Sequence, residues 1–158
     1  MILTMSFYLR PLTQLHVRSA RDIFEESFEA EALNSFSKAW RHRVLPSCGI
    51  FTKSGELLAF VLCNVGGWKF TDTKIEYLCV HPLYQASGLG TRLLKHVIEN
   101  EKKNKRSICL VPLYTPHIWY WYQRHGFYPT SYRKAESGGV YVLMNYHPYG
   151  TRRQKSFS

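Results

Sequence analysis

Residues 74–90 constrain this chain more than any other stretch, because they read as a strand feeding a glycine-opened helix. Over residues 74–80 the side chains alternate, with Ile75, Tyr77 and Cys79 on one face and Glu76, Leu78 and Val80 on the other, the period of a β-strand. A loop over 81–87 follows, and a helix begins near Gly88 with an apolar stripe of Leu89, Leu93, Leu94, Val97 and Ile98. The charge run 99–106 ends that helix in solvent, and residues 108–113 read as a further strand. A strand–helix–strand crossover implies a parallel pair. The first-turn N–H groups of a helix have no intrahelical acceptors, and with the positive end of the helix dipole they form an anion site suited to a pyrophosphate. Side chains at Gly88 and Gly90 would block such an approach. The glycines alone fit a ligand-free strand-to-helix turn equally well. Leu93 stands where a dinucleotide fingerprint needs its third glycine, and no Gly-Lys-Ser/Thr follows as in a P-loop.

Around this junction the chain alternates short strands and short helices. Residues 7–12 read as a first strand; Thr13 then caps a helix to about Phe28, carrying Val17, Ala20, Phe24 and Phe28 near helical spacing. A second helix spans about 29–40 and stops before Pro46. Residues 49–52 and 57–64 form a hairpin through Lys53, Ser54, Gly55 and Glu56, and Gly66 with Gly67 opens a loop. Thr115 fits the N-cap and Pro116 the first position of another helix, with Ile118, Trp121, Tyr122 and His125 on one stripe and Gly126 just past its end. Residues 127–132 and 140–147 are closing strands. Hairpins together with one crossover predict an α/β (α+β) fold with a mixed sheet of about six to seven strands and about four helices.

Composition narrows the class. At 158 residues the chain suits one domain, expected over 1–148, followed by a basic tail over 149–158 that is either disordered or closes over the partner subunit of a homodimer. No stretch of 18 apolar residues is present, which excludes a membrane-spanning helix. The first ten residues read as strand rather than as a secretory signal. Cys48, Cys63, Cys79 and Cys109 lie in or beside apolar runs, with no Cys-x-x-Cys pair. They read as buried thiols of a reducing compartment, so no metal is expected and the cytoplasm is the expected location. The net charge is +10, with cations gathered at 41–43, 102–106 and 152–155, whereas five of the eleven acids fall between Asp22 and Glu31.

Gln85-x-x-Gly88-x-Gly90 after an apolar strand resembles the Q/R-x-x-G-x-G/A motif of the GNAT acyl-CoA N-acyltransferases. Trp121–Tyr122-x-x-x-Gly126–Phe127 resembles the second signature of that superfamily, in the right order and with one helix and one strand between the motifs. The resemblance covers nearly the whole chain and implies the GNAT fold with acetyl-CoA as cosubstrate. By this likeness the main chain of Leu78, Cys79 and Val80 pairs with the pantetheine arm, an addition to a strand edge. The pyrophosphate falls to Gln85, Ala86, Ser87, Gly88, Leu89, Gly90 and Thr91, with Arg92 one turn further on. Ala86 and Ser87 stand where relatives often carry glycine or a basic residue. Thr115 stands where many relatives carry asparagine, and is included among the coenzyme contacts.

Acyl transfer to an amine needs a base for the ammonium, a donor for the oxyanion and a proton for the departing thiolate. The resemblance assigns the last to Tyr122, a position that spacing alone assigns to helix packing. It assigns the base to Glu76, nine residues before Gln85, as in the superfamily's polyamine acetyltransferases, with His81 and His117 in reserve. The Val80 N–H is the implied oxyanion donor. Glu25, Glu26 and Glu29 lie at the joint of the first two helices, which borders the acceptor site in this family. They suit a cationic acceptor such as a polyamine, a lysine side chain or an N-terminal amine. The plainer reading of these acids is a solvated helix face. Two other classes stay open: an acetyl-CoA sensor without turnover, and a basic nucleic-acid module. The latter is disfavoured because the aromatics are not interleaved with Lys and Arg.

Overall fold

The computed structural model describes residues 6–66, 72–113, 115–134 and 138–148. Among the described residues there are seven strands and four α-helices. They are β1 (Tyr8–Pro11), α1 (Val17–Glu25), α2 (Leu33–Arg41), β2 (Cys48–Phe51), β3 (Leu57–Gly66) and β4 (Asp72–Val80), then α3 (Leu89–Asn104), β5 (Ile108–Leu110), α4 (Pro116–Arg124), β6 (Tyr128–Lys134) and β7 (Val140–Tyr146). The sheet order is β1-β2-β3-β4-β5-β7-β6. β4 and β5 run parallel, while β1–β2, β2–β3, β5–β7 and β6–β7 are antiparallel. The mixed sheet expected from the hairpins and the crossover is present.

The chain divides into two compact units, Met1–Asn64 with Glu76–Asn100, and Val65–Ile75 with Glu101–Ser158. In the first unit, residues 57–63 of β3 are all buried, as a strand covered on both faces requires. Helices α1 and α2 have nine residues each, too few to persist in water alone. Tertiary burial holds them: Ala20, Ile23, Phe24, Phe36, Ala39 and Trp40 pack into one cluster with Phe51, Leu57, Phe60, Leu62 and Cys79. Phe24 stacks on Phe28, with centroids 4.7 Å apart, and meets Tyr77 edge-on. The predicted stripe of α3 is buried in full. In the second unit Ile108, Leu110, Tyr122, Phe127, Val142 and Met144 are buried.

Several boundaries differ from expectation. Thr13 precedes a 3-10 turn over Gln14–His16, and its N–H donates to His16 Nδ1 at 2.9 Å; the α-helix starts only at Val17. The joint between α1 and α2 is longer than predicted and holds a second 3-10 turn, Ala30–Ala32. β5 stops at Leu110 instead of continuing to Leu113. Pro112 has no N–H to donate, and Val111 and Leu113 are exposed. The tail 149–158 lies outside the described residues.

Candidate active site

In the first unit the site begins with β4. Its faces alternate as predicted: Thr73, Ile75 and Cys79 are buried, while Glu76, Leu78 and Val80 are half-buried on the other side. The ladder with β5 pairs only Thr73, Ile75 and the residue between them, ending at Ile75 opposite Leu110. Residues 76–80 therefore run on past the end of β5, leaving a main-chain edge that β5 does not use. The Cys79 side chain is buried in the core, which leaves the main chain at this position for ligand contact, and burial pushes its thiol up to about 12.

After Val80 the chain turns sharply. His81 N donates to Leu58 O at 2.7 Å, and His81 Nδ1 accepts from Leu83 N at 3.2 Å. His81 is thus a cap for the following turn, which weakens it as a reserve base. Where a loop was expected, Pro82–Ser87 forms a 3-10 helix, whose own i→i+3 bonds occupy its later amides. Gln85 Nε2 reaches back to Val80 O at 3.5 Å. Gly88 terminates this turn at φ 77°, a left-handed conformation, and a Cβ there would meet open space. α3 then starts at Leu89, and Arg92 N is the first amide to bond back, to Gly88 O at 3.1 Å. The N–H groups of Leu89, Gly90 and Thr91 are those a helix start leaves open. Ala86, Ser87 and Gly88 are exposed around them. Arg92 Nη1 donates to Phe7 O at 2.8 Å, which ties the guanidinium to the segment before β1 and leaves its other donors for an anion. Phe7 in turn meets Tyr84 edge-on at 6.0 Å. Spacing along the sequence gave no sign of this anchor.

Glu25, Glu26 and Glu29 are exposed at the α1–α2 joint. Beneath the joint lies an aromatic group not expected from the sequence, in which Tyr77 meets Phe24 and Phe28 edge-on at 5.0 and 5.3 Å. Burial, and then the neighbouring Glu76 carboxylate, push the Tyr77 phenol above its ordinary range, against a hydrogen bond with Ser35.

In the second unit Tyr122 is buried on α4, with Trp121 at 4.9 Å and Phe127 at 5.6 Å, both edge-on. Thr115 is the N-cap of α4 by backbone, yet its hydroxyl makes no capping bond. It lines an open cleft with Pro116, Trp119 and Tyr120. Among the described residues no group of three metal-ligating side chains gathers.

The sequence profile of the family described as "Acetyltransferase (GNAT) domain" matches residues 47–129, more than half of the chain. The chain belongs to the GNAT acetyltransferases. Solved structures of this fold cover nearly all of this GNAT chain at low identity. The ribosomal-protein-S18-alanine N-acetyltransferase of Escherichia coli is 20% identical with a TM-score of 0.73, covering 90% of this chain and 94% of its own. Arabidopsis thaliana Naa50, solved with a bisubstrate analogue joining CoA to an acetylated peptide, is 17% identical with a TM-score of 0.68, covering 88% and 97%. The PaiA N-acetyltransferase of Thermoplasma acidophilum, solved with coenzyme A, is 15% identical with a TM-score of 0.66, covering 90% and 99%. No curated protein sequence matches. This GNAT protein is an acetyl-CoA-dependent acyltransferase, and the opened start of α3 with the unused edge of β4 fits that cosubstrate.

Proposed function

We propose that this GNAT acetyltransferase moves the acetyl group of acetyl-CoA to a primary amine on a cationic acceptor, by direct attack within a ternary complex. The observation that carries the reading is the stretch of β4 beyond the end of β5, leading within one turn to a helix start opened by glycine. A pantetheine arm has amide groups that pair with such an edge, and a pyrophosphate suits the open amides of Leu89, Gly90 and Thr91. Leu78, Cys79 and Val80 hold the arm; Leu89, Gly90 and Thr91 hold the pyrophosphate through their amides, Gln85, Ala86, Ser87 and Gly88 line it, and Arg92 and Thr115 complete the coenzyme site. Glu76 takes the ammonium proton, freeing the nitrogen lone pair to attack the thioester carbonyl. The Val80 N–H stabilises the oxyanion. As the C–S bond breaks, the Tyr122 hydroxyl supplies a proton to the thiolate. Glu25, Glu26 and Glu29 attract the cationic acceptor. The structural neighbours include an enzyme named for the alanine of a ribosomal protein and one solved with a bisubstrate analogue, in keeping with an amine acceptor.

Release of free CoA thiol, assayed with acetyl-CoA against a panel of polyamines, lysine peptides and N-terminal peptides, tests the proposal. Turnover with at least one cationic amine is expected, and Tyr122→Phe should lower it by about ten- to a thousandfold while coenzyme binding is kept. Coenzyme binding with no thiol release from any amine would reduce the chain to a sensor. Unchanged turnover in Tyr122→Phe would remove that residue from the mechanism.

A further inference from the structure

The far end of α3 has no part in this chemistry. Lys102, Lys103, Lys105 and Arg106 are all exposed there, within five consecutive positions. Cations in the last turn complement the helix dipole, which explains Lys102 and Lys103 but not the two residues beyond the helix end. Lys105 adopts φ 57°, a left-handed conformation that glycine takes without strain and that a lysine takes at a cost. The turn around it is fixed by Lys105 N donating to Lys102 O at 3.3 Å and Arg106 N to Glu101 O at 3.0 Å. Of the acids beside these cations, Glu99 is exposed on α3 one turn before Lys102 and Lys103, whereas Glu101 is withheld from them. Glu101 is fully buried, and neither carboxylate oxygen has a hydrogen-bond partner. Besides Glu101, the described residues of the second unit contain only one carboxylate, Asp72, on β4.

We propose that this hydrogen-bonded turn, Lys102–Lys103–Asn104–Lys105–Arg106, docks the phosphodiester backbone of a nucleic acid. Four cations held on this turn present a ready counter-surface for successive phosphates, and no carboxylate pairs with Lys103, Lys105 or Arg106 among the described residues. An anionic membrane is the less suitable partner. Surface-binding helices pair their cations with an exposed apolar face, whereas the apolar stripe of α3 is buried in the core and the turn carries no apolar side chain.

Fluorescence anisotropy of a labelled 20-nucleotide poly(U) RNA with the full chain, titrated across 50–200 mM salt, tests this. Four phosphate contacts on a single strand predict a log–log salt slope of roughly −3, a loss of roughly fifty-fold in affinity across that range. Replacing all four cations with glutamine should weaken binding at low salt at least tenfold, and leave turnover on a small amine unchanged. Lys105→Gly separates site from fold: it should raise Tm by relieving the left-handed lysine, yet weaken RNA binding. RNA affinity that is absent, flat with salt or unchanged in the glutamine variant would overturn the proposal. So would binding to phosphatidylserine vesicles but not to RNA.

Discussion

Glu76 and Tyr77 are adjacent on β4 and face opposite sides of it, yet the Glu76 charge is felt at the Tyr77 phenol. A carboxylate acting as general base works deprotonated, so kcat/KM should rise with pH along the acid limb of the profile. Glu76→Gln should flatten that limb and cut kcat by roughly a hundredfold or more; an unaltered pH–rate profile would move the base to another group. Glu101 poses a separate question at this scale. It continues the row Leu89–Leu93–Val97, all buried, and ends it with a carboxylate whose oxygens have no hydrogen-bond partner. A buried polar group left unpaired costs on the order of 1–3 kcal/mol. Glu101→Met should therefore stabilise the fold by about that amount, read from the shift in the urea midpoint at constant m-value.

Among the elements, two glycines in left-handed turns make an informative pair. Gly88 has φ 77° with nothing within 4 Å of a Cβ, whereas Gly126 has φ 95° with the Tyr146 ring 2.9 Å from a Cβ. Alanine at either position incurs left-handed strain of about 1–2 kcal/mol. At Gly126 it must also displace the aromatic ring packed against Phe127. Thermal unfolding should show the larger loss for Gly126→Ala. Gly88→Ala should keep most of its stability but raise the KM for acetyl-CoA, because the added methyl projects into the open space before the helix start. Equal KM values in the two variants would argue against coenzyme binding there.

Across the molecule, all four cysteines are buried and none is in a disulfide. Burial pushes the thiols of Cys48 and Cys79 up to about 12 from 9.0, with nearby Arg92 opposing the rise at Cys48. A raised folded-state value means that the native chain holds these protons more tightly than the unfolded chain. Their contribution to stability is whole below pH 9 and is lost as pH climbs from about 9 towards 12. Denaturation midpoints should fall across that window. At pH 8 a thiol reagent such as Ellman's should label the native chain slowly and all four cysteines in urea. Rapid native labelling would contradict the burial.

Much of the fold was legible because periodicity reports burial directly. The alternation over 74–80 and the stripe of α3 predicted which side chains are covered, and the glycines at 88 and 126 marked turns that side chains resist. The family likewise followed from two short motifs, since both fix backbone geometry. Short-range pattern could not show where strands stop pairing. That β5 ends opposite Ile75 depends on Pro112 and on the exposed residues beside it, and it is this ending that leaves the β4 edge over. Nor could spacing bring Phe7 to Arg92, eighty-five residues away, or gather Phe24, Phe28 and Tyr77 beneath an acidic joint. It also could not reveal that Glu101 turns inward while the lysines beside it face solvent. Local sequence sets which residues are buried and where the chain turns. Which distant groups then meet depends on how the elements pack, and no window of neighbouring residues encodes that.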